Sequence, residues 1–338
     1  MEKKILIISQ SMFEVTTNKI CDWLTHYNID YIRLNVDEVF NPELFHYDID
    51  IKNNHFYLYD KRMQKQIDLS GIKIAWCRRF IYNFSDKFSY EEDFSYNSLL
   101  FSKFLTAEVN KFLHIIYRSF PNIQWFDSYK DILKIDKIEV LTIAQSIGLL
   151  IPDSYITNNY SYINKLLNDK NENLITKPLG ETTGFREDKN DSGLYITYTQ
   201  EVKSSVDFDF LPSLFQKKII KKMEIRTFYN HGKCYSMAIF SSKNQKTKID
   251  FRKYDWKYPN RSIPYQLPVD IEIKLDKLMK ELSLTSGSLD ILLDHNNNYY
   301  FLEVNPVGQF GMVSAPCNYN LEKEVVLSLI QKLNHEEI

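Results

Sequence analysis

The stretch Ser288-Leu-Asp-Ile-Leu-Leu-Asp294, then His295-Asn-Asn-Asn298, then Tyr299-Tyr-Phe-Leu-Glu-Val-Asn-Pro306, sets two mainly apolar runs around a polar one. That pattern predicts two strands joined by a turn. With the turn centred on Asn296 and Asn297, Asp290 lands opposite Glu303. Directly opposed side chains in an antiparallel pair have Cβ atoms about 4.5 to 5.5 Å apart, where like charges repel. Asn305 lies two residues beyond Glu303 and projects from the same face. Two carboxylates and an amide oxygen suit Mg²⁺, which keeps waters and substrate phosphates as its other ligands. A solvated polar face on an amphipathic hairpin would give the same pattern. The flanks Leu289, Ile291, Leu302 and Val304, with Pro306 ending the strand, favour a site. An odd-length turn would shift the register and break the facing pair.

Upstream of this hairpin the chain is long, and 338 residues fit two or three packed units rather than one core. The expected division is an N-terminal α/β domain over 1–127, a central domain over 128–213 and a C-terminal domain over 214–338. Ile5 to Ile8 read as a buried strand and Thr17 to Tyr27 as a helix, a β-α opening. Strands at Tyr31–Leu34, His55–Tyr59 and Ile72–Trp76 and a helix over Glu91–Tyr117 follow. No GxGxxG follows the first strand, so nothing points to a nicotinamide cofactor. A helix is expected from Lys130 to Ile147, stopped by Gly148. Strand-like runs then dominate to residue 240, with a hairpin turn at Asn230-His-Gly-Lys233. Leu321 to Leu333 reads as an amphipathic closing helix.

Forty-two basic against 44 acidic side chains give a formal charge of −2, which supplies no field for a polyanion, so a nucleic-acid partner is not expected. No apolar stretch approaches a membrane span, and the start lacks the length and cleavage site of a signal peptide. Cys21, Cys77, Cys234 and Cys317 are too scattered for a metal knuckle or a disulfide framework. Reduced thiols in the cytoplasm are the expectation.

The run Leu302-Glu-Val-Asn-Pro306 with Ser288-Leu-Asp290 resembles the metal-binding signature of the ATP-grasp superfamily. The resemblance implies an α/β (α+β) ATP-grasp fold: a Rossmann-like pre-ATP-grasp domain, a central lid domain and a C-terminal antiparallel-sheet domain. It also implies an ATP- and Mg²⁺-dependent ligase. Asp290, Glu303 and Asn305 would hold the metal. Lys137, in Lys134-Ile-Asp-Lys137, and Lys177, in Leu174-Ile-Thr-Lys-Pro178, match the lysines aimed at nucleotide phosphates. Gly180-Glu-Thr-Thr-Gly184 resembles the lid loop over the phosphates, with Gly180, Thr182 and Thr183 as its contacts; a plain surface turn fits the loop equally well.

Phe215-Gln-Lys-Lys-Ile219 resembles the hinge strand that holds adenine, through Gln216, Lys217, Lys218 and Ile219. Lys217 stands where the family often has an acid. Glu224 matches the ribose-binding position, and Arg226 and Arg252 match arginines that neutralise the transferring phosphate and the acyl phosphate.

Trp76-Cys-Arg-Arg79 and Asn305-Pro-Val-Gly-Gln-Phe310 look like peptide maturases of the microviridin or graspetide type, in the grasp-with-spasm branch. Cys77 replaces the tyrosine of the usual WYRR form. That likeness implies a ribosomal precursor peptide as substrate, with Arg78 and Arg79 binding it, and a homodimer. The reaction would join Asp or Glu carboxylates to Ser, Thr or Lys as ω-esters or ω-amides. The same nucleotide residues would serve a ligase adding amino acids to a protein or joining small metabolites. A non-catalytic nucleotide-binding module is a further alternative, against which intact Lys177, Asp290, Glu303 and Asn305 argue.

Overall fold

The computed structural model describes residues 4–12, 14–39, 41–53, 55–67, 69, 71–79, 96–118, 123–168, 173–180, 184–185, 195–196, 199–202, 210–241, 257 and 259–334. The chain divides into two compact units, Met1–Leu133 with Asn320–Ile338, and Lys134–Tyr319.

In the first unit, β1 (Lys4–Ser9) is followed by α1 (Val15–His26) and β2 (Tyr31–Asn35). The run Ile5–Ile8 is buried throughout, as a central strand of a covered parallel sheet requires. The strands β3 (Phe45–Asp50), β4 (His55–Asp60) and β5 (Lys65–Gln66) form a separate antiparallel sheet. The chain then returns through β6 (Ile72–Cys77), α2 (Tyr96–Arg118), β7 (Gln124–Trp125) and α3 (Tyr129–Leu133). The parallel sheet has the order β2-β1-β6-β7. The closing helix Leu321–Asn334 packs on α1 and β6 and groups with this unit.

The helix expected over Lys130–Ile147 is two helices, α3 and then α4 (Lys137–Ser146). The break falls where Asp136 adopts extended backbone and its carboxylate accepts from the amides of Ile138 and Glu139, capping α4. Gly148, at φ +88°, ends the segment as expected. The boundary between the two compact units lies in this break.

The second unit continues with β8 (Ser154–Thr157), α5 (Tyr160–Asn168), β9 (Leu174–Lys177), β10 (Gly184–Phe185), β11 (Tyr195–Ile196), β12 (Gln200–Glu201) and β13 (Ser213–Lys217). A four-stranded sheet, β12-β9-β13-β8, buries Ile163, Leu166, Leu174 and Phe215. After it come β14 (Lys221–Asn230), β15 (Lys233–Phe240), β16 (Arg261–Tyr265), α6 (Val269–Glu281), β17 (Ser286–Asp294), β18 (Tyr299–Asn305) and α7 (Gly311–Cys317). These strands form an antiparallel sheet in the order β16-β15-β14-β17-β18. The expected turn between β14 and β15 is present. His231 and Gly232 have φ of +46° and +82°, the two positive values a two-residue hairpin turn matching the strand twist requires. Helix α4 packs against β18.

Candidate functional site

Asp290 faces Glu303 across β17 and β18, as the sequence pattern predicts, but the turn that brings them together is not the expected one. Leu293 pairs with Tyr299 and Ile291 with Phe301, a register one residue out from the pairs Asp290–Glu303, Leu289–Val304 and Ser288–Asn305. The loop is His295-Asn-Asn297, closed by Asp294, whose Oδ1 accepts from the amides of Asn296 and Asn298 at 2.9 and 2.8 Å. Asn297 sits at φ +64°, the left-handed residue that three-residue hairpin loops need. The odd loop does shift the register. Leu302, a bulged residue between the two sets of pairs, shifts it back. Phe301 and Val304, three residues apart, therefore both lie in the core while Glu303 between them is half-buried.

Asp290 is paired on its other side too. Arg226 on β14 is its register partner, and Arg226 Nη1 donates to Asp290 Oδ1 and Oδ2 at 3.0 and 3.1 Å. Arg226, Asp290 and Glu303 thus form a row over three adjacent strands, with Asn305 two residues along β18. The row brings two carboxylates and one guanidinium together, and the remaining donors are oxygen. The set fits a hard divalent cation. Among the described residues no three His, Cys, Asp or Glu side chains assemble into a metal cluster, so the third protein ligand would be the Asn305 amide. Its Oδ1 accepts from the Val307 amide at 3.1 Å.

On the same face as Asp290 and opposite Asn305, Ser288 is 2% exposed and its Oγ has no hydrogen-bond partner among the described residues. A Cβ added at Gly308 would lie 2.8 Å from Ser288 Oγ and 3.1 Å from the Asn305 carbonyl, so only glycine fits. This niche carried no sequence signal beyond the small residue after Asn305-Pro-Val307.

Glu224, two residues before Arg226, shares its face of β14. It is buried and held by Lys221 Nζ at 2.6 Å and by the Ser241 hydroxyl. Burial pushes its carboxyl up, Lys221 opposes the shift, and the Asp290 charge adds to it. Periodicity gives no sign of the Lys221 pairing, because residues i and i+3 of a plain strand face opposite ways; a register shift between Lys221 and Met223 lets the two side chains meet.

On β13, the strand expected as the hinge, Gln216 is buried, its Nε2 donating to Ser154 Oγ at 2.8 Å while its Oε1 has no partner among the described residues. The Lys217 and Lys218 amides donate to the carbonyls of Asp153 and Asn173. Lys218 Nζ pairs with Glu201 at 2.7 Å, and Lys217 Nζ lies 3.8 Å from Asp153. Ile219 follows the end of β13. Lys177 ends β9, and Lys137 opens α4 with its Nζ donating to the carbonyls of Pro178 and Gly180 at 3.0 and 3.2 Å. The structure therefore joins the first lysine to the segment behind the second. Thr182, Thr183 and Arg252 lie outside the described residues.

In the first unit, Arg78 and Arg79 follow β6. Arg79 Nε donates to Glu14 at 2.8 Å and Arg78 Nε lies 3.9 Å from the same carboxylate. Burial lowers the Arg78 guanidinium to about 10, with Glu14 opposing. Arg79 is the more accessible of the two, at 30% side-chain exposure against 3%.

No family model and no curated protein matches the sequence. Solved structures do. A RiPP-associated ATP-grasp ligase from Chryseobacterium gregarium, in complex with ADP and a leader and core peptide, superposes with a TM-score of 0.81 at 24% identity, covering 98% of this chain and 97% of that one. The macrocyclase MdnC from Microcystis aeruginosa, bound with precursor peptide MdnA, gives 0.78 at 22% identity over 97% and 99% of the two chains. The D-alanine–D-alanine ligase of Bacillus anthracis gives 0.53 at 14% identity over 99% and 98%. At these identities the likeness establishes the fold: the chain has the ATP-grasp fold along its whole length.

Proposed function

We propose that this chain is an ATP- and Mg²⁺-dependent ligase that activates side-chain carboxylates of a ribosomally made precursor peptide and closes ω-ester or ω-amide rings within it. The row Arg226–Asp290–Glu303, with Asn305 beside it, carries the reading, because it sets a cation-binding oxygen cluster and a guanidinium side by side. That is the equipment for moving a phosphoryl group. The precursor-bound complexes of the Chryseobacterium and Microcystis proteins support the choice of substrate.

Asp290, Glu303 and Asn305 would hold Mg²⁺, which supplies charge neutralisation at the phosphate oxygens. Lys137, Lys177 and the Gly180–Thr183 loop would bind the phosphates, and Gln216 to Ile219 with Glu224 the nucleoside. A carboxylate oxygen of the peptide attacks the γ-phosphorus and ADP leaves. A hydroxyl or amine of the same peptide then attacks the acyl carbon, loses its proton and expels inorganic phosphate. Proximity within one peptide makes this second step effectively unimolecular. Arg226 and Arg252 would stabilise the charge on the transferring group, and Arg78 and Arg79 would engage the peptide. The working form is a cytoplasmic homodimer; among the described residues no helix is long and apolar enough to cross a membrane.

The purified chain is incubated with ATP, Mg²⁺ and a precursor encoded beside it. ADP and phosphate should form only with the peptide, which should lose one water per ring by mass spectrometry. Phosphate release that ignores the peptide, or turnover without mass loss, would contradict the proposal.

A further inference from the structure

Arg226 spends one nitrogen, Nη1, on both oxygens of Asp290. A guanidinium paired with a carboxylate commonly engages two nitrogens in parallel. Here Nε has no hydrogen-bond partner among the described residues, although the residue is only 8% exposed. A buried donor without a protein acceptor among these residues is open to an incoming one. Asp290 also faces the like charge of Glu303 across β17 and β18.

We infer that Arg226 is a stand-in cation. Without nucleotide it holds Asp290. When the divalent cation arrives with nucleotide, Asp290 passes to the metal and the guanidinium turns its donors, Nε included, to phosphate oxygens. The inference rests on reading Asp290, Glu303 and Asn305 as the metal ligands and adds an order of events to it. Its physical core is competition: while Arg226 neutralises Asp290, a free divalent cation meets a weakened ligand and a neighbouring positive charge. A nucleotide removes that obstacle by offering the guanidinium a better partner, so cation and nucleotide each tighten the other.

Mn²⁺ binding to the full chain, followed by electron paramagnetic resonance with and without ADP, tests this in wild type, Arg226→Gln and Arg226→Lys. Arg226→Gln should bind Mn²⁺ alone roughly threefold to tenfold more tightly than wild type, and the factor by which ADP tightens Mn²⁺ should fall by about tenfold. Arg226→Lys keeps the charge without the planar donors. It should bind Mn²⁺ alone as wild type does yet lose most of the ADP effect, and it serves if the glutamine variant does not fold. Wild-type binding with the ADP factor unchanged in the folded variants overturns the exchange alone. A wild-type chain that takes up no Mn²⁺ even with ADP overturns the metal site itself, and the exchange with it.

Discussion

The ammonium of Lys137 donates to the Gly180 carbonyl at 3.2 Å and, through the same group, to Pro178 at 3.0 Å, tying the first turn of α4 to the segment after β9. Two charge-assisted hydrogen bonds to backbone make this a tether, in addition to the phosphate-binding role proposed for the same ammonium. Lys137→Met should weaken ADP binding about tenfold by calorimetry. It should also speed amide exchange around Leu179 and Gly180. Unchanged exchange with weakened ADP would show that the tether contributes nothing to local order.

The two acidic side chains of the hairpin should respond oppositely to neutralisation. Glu303→Gln removes one of two facing like charges, so the thermal midpoint should hold or rise while ATP turnover falls by about a hundredfold or more. Asp290→Asn strips Arg226 of its partner in a largely buried setting, and should lose about 3 kcal/mol of stability as well as turnover. Denaturant titration of both variants beside a phosphate-release assay separates the two effects.

Gly308→Ala should cost about 1–3 kcal/mol, because the new methyl meets Ser288 at 2.8 Å and the Asn305 carbonyl at 3.1 Å and neither is the end of a flexible side chain. Ser288→Ala combined with it should not restore stability, since the Ser288 Cβ itself is at 2.8 Å. Chemical denaturation of the single and double variants decides this.

Thiol chemistry offers a pH-dependent check. Burial raises the thiols of Cys21, Cys77, Cys234 and Cys317, that of Cys234 from an ordinary 9.0 to about 12. The reactive species is the thiolate, so at pH 8 Cys234 should alkylate roughly a thousandfold more slowly than an unhindered thiol. Its rate should climb about tenfold per pH unit until the carboxamidomethyl product saturates or the chain unfolds. Iodoacetamide labelling with peptide mass mapping, native against urea, reads all four positions; fast native labelling of Cys234 would contradict its raised thiol.

How far the sequence carries this structure depends on the scale of the signal. Alternation of apolar and polar residues reveals β17 and β18, and the facing of Asp290 and Glu303, because a strand's faces are set by a period of two. Loop length is a subtler matter. Asn297 enters the left-handed region because Asp294 collects the Asn296 and Asn298 amides, a competition among local hydrogen bonds that periodicity does not register. The break between α3 and α4 was legible in principle: Asp136 followed three residues later by Glu139 is a helix-start signal. The apolar periodicity running across it concealed the break. The closing helix was visible as amphipathic, but an apolar stripe does not say which layer it covers, and it covers α1 and β6. Lys137 and the segment Pro178–Gly180 are more than forty residues apart in the chain, and only the folded β9 brings them together.

Leu302 has a further bearing on how the hairpin could be re-engineered. A strand from which it was deleted would run Phe301, Glu303, Val304, Asn305 in plain alternation, so Glu303 would keep Asp290 as its neighbour. What such a strand would lose is the extra coil that a surplus residue imparts, and with it the bearing of the Glu303 carboxylate. The leucine is then an aiming device, and its removal would turn a charge through space while leaving its address in the sheet untouched.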